Sequence, residues 1–231
     1  LLDDTDHQKK GIISPCLVPD SACIDPVLTY TVPPSITAST GIDALTHCVE
    51  AYANRHANPV IDLYALEGIK RIFRSLEAAC KDGSNKEARA DLALGSMYGG
   101  MCLGPVNTAA VHALAYPLGG EYHIPHGVSN ALLLPHVLRV NLNDGIARYA
   151  QIAENTGVSG ISDLKELASA GIKNIADLCK RVGIPESLDD FQIPVEDVPK
   201  MARSAMTVQR LLKNNLHELT VSEVEDIYYK L

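Results

Sequence analysis

The spacing of apolar residues divides the chain into a short N-terminal segment, residues 1–34, which we call the entrance, and a long helical region. In residues 11–30, GIISPCLVPDSACIDPVLTY, brief apolar stretches alternate with prolines. Proline cannot donate to a β-ladder, so this segment predicts short edge strands. The opening LLDDTDHQKKGIISP, an apolar strand end followed by a charged turn and then another strand, predicts a hairpin. Beyond Pro34, apolar residues recur at the 3.6-residue spacing of α-helices.

Capping and turn residues predict where the first helices begin and end. Thr37, Ser39 and Thr40 offer N-cap oxygens to a helix through GIDALTHCVEAYAN. Asn58, followed by proline, predicts the start of a second helix. A Gly-Ser-Asn turn at 83–85 then precedes a third helix, KEARADLALGSMYGG.

Further helices are predicted along the rest of the chain. PVNTAAVHALAYPL predicts a helix of small residues, and HGVSNALLLPHVLRVN predicts a helix that is kinked at Pro135. Amphipathic helices follow as far as VSEVEDIYYKL, where Ser222 and Glu225 predict a capping box.

Composition limits the classes of partner. The chain has 231 residues and a formal net charge of −8, whereas nucleic acids and anionic membranes attract cationic surfaces. No apolar run approaches the roughly 20 residues that cross a bilayer. Six scattered cysteines form no CxxC pair, which is typical of reduced proteins. We therefore expect a cytoplasmic protein with neither nucleic acid nor a membrane as partner.

Four residues have the chemistry and the spacing of metal ligands. Asp43 and His47 lie four apart on a predicted helix, so they share one face. His112 and His126 lie fourteen apart and converge if the loop PLGGEYHIP turns the chain back. One carboxylate and three imidazoles suit iron, zinc, cobalt or nickel. The plainer interpretation is a helical Asp–His contact beside a packed core histidine, and spacing alone leaves both open.

The other histidines receive structural interpretations. His136, directly after Pro135, is predicted to be a packed residue whose ring bonds the carbonyl that the proline frees. His7, His56 and His217 are predicted to lie on the surface.

Two long motifs resemble the signatures of one family. STGIDALTHCVEAYANRHANPVIDLYAL is similar to the first signature of the iron-containing (group III) alcohol dehydrogenases, and VHALAYPLGGEYHIPHGVSNALLLPHVLRVN to their second. The resemblance implies the ligand set Asp43, His47, His112 and His126, and it places His123 outside that set.

The resemblance also implies a fold and a reaction. The fold is mainly α, the multi-helix C-terminal domain of the dehydroquinate synthase-like, iron-type alcohol dehydrogenase fold. Residues 1–34 would form the end of an α/β domain or a short β-like entrance, and residues 35–231 an all-helical metal-binding domain. The reaction is oxidation of a small alcohol, or reduction of an aldehyde or ketone, with Fe²⁺ (or Zn²⁺) polarising the oxygen and NAD or NADP exchanging the hydride. Full-length members of the family commonly form homo-oligomers.

The chain departs from the family pattern in two respects. The first is Tyr116, which stands where many members have a second histidine and is therefore the catalytic candidate. The second is that nothing matches the GGGS-type loop of the N-terminal dinucleotide-binding domain. Leu103, by contrast, resembles a residue of the family's apolar substrate wall. We therefore expect a piece of a longer protein that binds metal but has little or no dehydrogenase activity alone.

Three alternatives remain at the level of sequence. A zinc-dependent polyol dehydrogenase of the glycerol type is the nearest, although a set of four ligands favours iron. A non-catalytic helical module is the second, and the number of metal ions bound per chain distinguishes it from an enzyme, because such a module would bind no ion tightly. A helical phosphohydrolase is disfavoured because the chain has no His-Asp dipeptide.

Overall fold

The computed structural model describes residues 2–3, 8–9 and 14–231, and its described part is mainly helical. The strands are β1 (Leu2–Asp3) and β2 (Gln8–Lys9), and the helices are α1 (Pro34–Tyr52), α2 (Pro59–Lys81), α3 (Lys86–Leu103), α4 (Ala110–Glu121), α5 (His126–Asn141), α6 (Ile146–Asn155), α7 (Leu164–Arg181), α8 (Val198–Ala205), α9 (Gln209–Leu212) and α10 (Val221–Tyr228). Short 3₁₀ helices lie at Pro15–Leu17, Pro26–Thr29, Leu142–Asp144, Leu188–Phe191 and Val195–Asp197. The mainly α prediction is confirmed.

The entrance differs from the edge strands predicted for it. The antiparallel pairing of β1 with β2 confirms an opening hairpin, but β2 lies within the charged stretch that was predicted to be the turn. From residue 14 to residue 33, however, the described chain forms 3₁₀ turns and irregular backbone and no strand. Pro26 begins one of these turns, where the Asp25 carboxylate accepts the Val27 amide proton at 2.9 Å. For residues 14–30 the prediction of strands was wrong because proline fixes φ near the value of a tight helical turn. Residues 11–13 and His7, which was predicted to lie on the surface, lie outside the described residues.

The start of α1 also differs from the prediction. The helix begins at Pro34, where a missing amide proton costs nothing, rather than at a hydroxyl cap. Thr40 lies inside the first two turns and donates its hydroxyl to the Ile36 carbonyl at 2.7 Å. The Asn58 cap of α2 is confirmed, since its side chain accepts the Ile61 amide proton at 3.2 Å.

Two overlapping cap motifs compete at α10. Thr220-x-x-Glu223 and Ser222-x-x-Glu225 both match a capping box, and the structure uses the first. Thr220 accepts the Glu223 amide proton, and the Glu223 carboxylate accepts the Thr220 amide proton at 2.9 Å. The cap predicted at Ser222 was therefore two residues too late.

The core forms where α1 packs against α2, α3 and α5. Gly127, the second residue of α5, allows α5 to approach the backbone of α1 closely. A Cβ atom on Gly127 would lie 2.5 Å from the Ser39 carbonyl oxygen of α1. The first turn of α5 therefore lies directly on the backbone of α1, four residues from Asp43. No described helix is both long and apolar enough to cross a membrane.

Candidate metal centre

Side chains from three helices converge on one point. Asp43 lies on α1, His112 on α4 and His126 at the first residue of α5. The Asp43 Oδ1 atom is 3.6 Å from His112 Nε2 and 3.7 Å from His126 Nε2. One ligand atom from each residue lies within 4.8 Å of the other two. The structure thus brings together three of the four predicted ligands.

Asn130 lies at the centre of this group and was missed at the level of sequence. Its Nδ2 atom is 2.5 Å from Asp43 Oδ1, 3.1 Å from His112 Nε2 and 3.2 Å from His126 Nε2. Its own Oδ1 atom is buried without a hydrogen-bond partner. Asn130 lies four residues after His126 on α5, and this i,i+4 spacing was the available signal.

The donor set fits a divalent cation. A carboxylate oxygen and two imidazole nitrogens face a single amide group, which has only two protons to offer. One oxygen and several imidazole nitrogens are the ligand types that first-row divalent metals prefer. The buried, unpaired amide oxygen shows that hydrogen bonding alone does not satisfy this cluster.

Glu50 is the second residue that sequence reasoning missed. It is 4% exposed, and its Oε2 atom accepts the His112 Nδ1 proton at 2.6 Å. Its Oε1 atom accepts the Val111 amide proton at 2.6 Å, in the first turn of α4. A carboxylate on Nδ1 fixes the ring orientation and leaves Nε2 facing the ligand group. Glu50 lies seven residues after Asp43, two turns along the same face of α1.

His47, the fourth predicted ligand, lies beside the group rather than within it. Its ring stacks on the His112 ring, with centroids 4.8 Å apart and an interplanar angle of 19°. The group whose ligand atoms lie within 4.8 Å of one another contains Asp43, His112 and His126. The role of His47 as a ligand stays a prediction.

Electrostatics couple these groups strongly. Burial raises the pKa of Asp43, but the hydrogen bond with His112 and the neighbouring imidazoles outweigh it and bring the value to about 2. Burial lowers the pKa of His112, but Glu50 and Asp43 raise it to about 9. Burial also holds the pKa of His47 below its usual range. The Asp43 carboxylate is therefore ionised across the neutral range.

The predicted catalytic and pocket residues occupy neighbouring elements. Tyr116 lies one turn beyond His112 on α4, half-buried, and its hydroxyl accepts a proton from Arg210 Nη2 at 2.8 Å. Leu103 is the half-buried last residue of α3, and its place in a substrate wall stays a prediction. His123 is exposed, in the left-handed region with φ +56°.

Comparison with known proteins places this arrangement in a family. The sequence model of the Fe-containing alcohol dehydrogenase family, C-terminal, matches residues 37–231. Long-chain-alcohol dehydrogenase 1 of Geobacillus thermodenitrificans is 41% identical over 215 residues, which are 92% of this chain and 54% of that protein. The chain thus spans about half the length of the curated relatives it matches.

Solved structures have the same fold. A 1,3-propanediol oxidoreductase superposes with a TM-score of 0.86 at 40% identity, over 89% of this chain and 54% of that one. A sulfoacetaldehyde reductase from Bifidobacterium kashiwanohense, solved in complex with NAD⁺, superposes with a TM-score of 0.79 at 31% identity. The match covers 89% of this chain and 52% of that structure.

Proposed function

The chain belongs to the Fe-containing alcohol dehydrogenase family, and from this premise we propose that it carries the metal site of an NAD(P)-dependent alcohol dehydrogenase. The observation that carries the proposal is the convergence of Asp43 Oδ1, His112 Nε2 and His126 Nε2 within 4.8 Å. Family membership supports iron as the metal and a small alcohol, aldehyde or ketone as the substrate.

In this proposal Asp43, His112, His126 and, as the fourth ligand, His47 hold the metal. The ion supplies Lewis acidity, which lowers the pKa of an alcohol oxygen or polarises a carbonyl. Zn²⁺ competes for such ligands because it stands above Fe²⁺ in the stability order. Hydride exchange belongs to NAD or NADP, for which we assign no binding residue in this chain.

Residues behind the ligands hold them in place. Glu50 orients His112 through Nδ1 and at the same time pairs the Val111 amide, so the ring and the start of α4 move together. Asn130 spans the three ligand atoms and fixes their separation. The site is thus positioned by three helices, α1, α4 and α5, rather than by loops.

Tyr116 is proposed to hold and move a proton near the reacting oxygen. Because its hydroxyl accepts from Arg210 Nη2, the hydroxyl proton remains available to a second partner. A tyrosine so placed, one turn from a metal-ligand histidine, can hydrogen-bond a substrate oxygen or pass a proton onward.

Metal stoichiometry tests the proposal. After anaerobic loading with Fe²⁺, elemental analysis of the wild-type chain should find about one ion per chain, and His112→Ala should lose it because a buried ligand is removed. His56→Ala, an exposed histidine outside the site, is the matched control and should retain the ion.

Two outcomes would contradict the metal site. One is a wild-type chain that binds no ion, and the other is a His112→Ala chain that binds as well as the control. Circular dichroism of both variants separates the loss of a ligand from the loss of the fold.

A further inference from the structure

A second cluster of polar side chains lines a cavity far from the metal ligands. The cavity has a volume of about 250 Å³ and lies between α5, α7, the segment after α7 and the end of the chain. Its basic side chains are His136 and Arg139 from α5, Lys180 from α7 and Lys230. His136 lies ten residues after His126 on the same helix, which separates the two sites by about 15 Å along the axis.

The positive charge of this cavity is not balanced by the residues that line it. Glu186 is the one carboxylate among the lining residues, and it pairs with Lys180 at 2.7 Å. The side chains of Arg139 and Lys230 make no ion pair or hydrogen bond with any residue that the structure describes. Two unpaired cations therefore face one cavity in a chain whose net charge is −8.

His136 adds a free hydrogen-bonding group at the same place. The predicted bond from its ring to a carbonyl freed by Pro135 is absent, and the ring has no hydrogen bond among the described residues. Burial, together with Arg139 and Lys230, lowers the pKa of His136 to about 4. The imidazole is therefore neutral near pH 7 and offers one N–H donor.

We propose that this cavity binds a phosphate-type oxyanion, with Arg139 and Lys230 as its charge partners and His136 as an N–H donor. Guanidinium and ammonium groups form strong, charge-assisted hydrogen bonds with phosphate oxygens. Apolar side chains, including Leu132, Pro135 and Ile184, form the remaining walls of the cavity. A volume of about 250 Å³ is small for a drug-sized ligand, which favours a small anion.

The bound anion and the His136 proton should favour each other. Negative charge beside the ring opposes the effect of Arg139 and Lys230, so phosphate raises the pKa of His136. By reciprocity, the anion binds more tightly when the His136 ring is protonated than when it is neutral. The other titratable groups lining the cavity are Cys179 and Lys180 on α7 and Glu186 on the segment that follows.

The test is a titration of His136 followed by NMR in sodium phosphate and in sodium chloride of equal ionic strength. His136→Gln identifies the resonance. We expect phosphate to raise the pKa of His136 in the wild-type chain and in Arg203→Ala, which removes an exposed arginine of α8 away from the cavity. In Arg139→Ala/Lys230→Ala we expect phosphate binding to weaken by about tenfold or more, because two charge-assisted partners are lost.

Phenyl phosphate, run alongside inorganic phosphate, distinguishes the two sources of the anion. Tighter binding of phenyl phosphate indicates a phosphate monoester whose body contacts the apolar walls, and equal or weaker binding indicates free phosphate. The proposal is overturned if the His136 titration is the same in phosphate and chloride. It is also overturned if the double variant binds phosphate as well as Arg203→Ala does.

Discussion

Glu50 shows how one buried carboxylate organises the metal centre. It lies 62 positions from His112 in sequence, yet its two oxygens accept hydrogen bonds from His112 Nδ1 and from the Val111 amide in the first turn of α4. Because the acid is 4% exposed, water cannot replace either contact. The direction in which His112 presents Nε2 therefore depends on a residue that is not itself a ligand.

Glu50→Gln tests this positioning role. Glutamine keeps the shape of the side chain but loses the charge that supports the imidazole, so we expect metal affinity to fall by about 10- to 100-fold. Competition titration with Zn²⁺ or Co²⁺ measures the change, and Glu218→Gln, an exposed acid, is the control. Equal affinity in the two variants would mean that Glu50 only fills space.

At the scale of elements, the contact between α1 and α5 brings Asp43 to His126. Helices approach this closely only where one of them lacks a side chain, and Gly127 meets that condition against the Ser39 carbonyl. The ligand at the first residue of α5 is adjacent to this contact. The packing of α5 on α1 therefore also sets the distance between Asp43 and His126.

Gly127→Ala should separate these helices. Its Cβ atom would lie 2.5 Å from a backbone oxygen that cannot rotate away, so we expect a loss of about 1–3 kcal/mol in the free energy of unfolding. Gly100→Ala is the matched control, because no atom lies within 4 Å of its Cβ position on α3. There alanine should stabilise the helix by roughly 0.5–1 kcal/mol.

Urea denaturation of the two glycine variants gives both values. Similar stabilities for Gly127→Ala and Gly100→Ala would contradict the close approach of α5 to α1.

At the scale of the whole molecule, residues near the C-terminal helix connect back to the end of α5. The buried side chains of Asn141 and Asn215 exchange two hydrogen bonds of 2.7 and 2.8 Å. Nearby, His217 lies between Asp144 at 2.8 Å and Glu223, the capping-box residue of α10, at 2.9 Å. His217, predicted as a surface residue, is only half-exposed and links two elements.

This link should make stability depend on pH. Burial lowers the pKa of His217, but Glu223 and Asp144 raise it overall, so its contribution is complete below about 6.5 and is lost as the pH rises through the folded value. Hydrogen bonds from Thr220 and His217 outweigh burial and lower the pKa of Glu223, whose contribution is lost as the pH falls below about 4.5.

The contribution of the His217–Glu223 contact to the free energy of unfolding is therefore largest between about pH 4.5 and 6.5. We expect His217→Gln to reduce the free energy of unfolding by about 0.5–1 kcal/mol near pH 5.5 and by less near pH 8.5, because partly exposed ion pairs are weak. Urea denaturation at both pH values measures the difference, with His56→Gln as the control. A deficit that is the same at both pH values would contradict the charge-based link.

The chain's own pattern determined the parts of the structure that depend on neighbours in sequence. Helical periodicity located α2, α3 and α5, and Asn58 was correctly identified as a cap, because both depend on residues within one or two turns. The family resemblance pointed to Asp43, His47, His112 and His126 as ligands, and the structure brings the first, third and fourth of these together. The proline-rich turns and the overlapping caps at α10 were mispredicted because the same short sequence is compatible with several local structures.

Tertiary structure alone decided the contacts between distant residues. Glu50 on the His112 ring, Asn130 among the ligands and His47 stacked on His112 all require α1, α4 and α5 to meet, and no local pattern encodes that meeting. The unpaired charges around His136 likewise exist only because α5, α7 and the chain end enclose one cavity. Periodicity specifies which face of a helix is buried, whereas close packing decides which residues that face contacts.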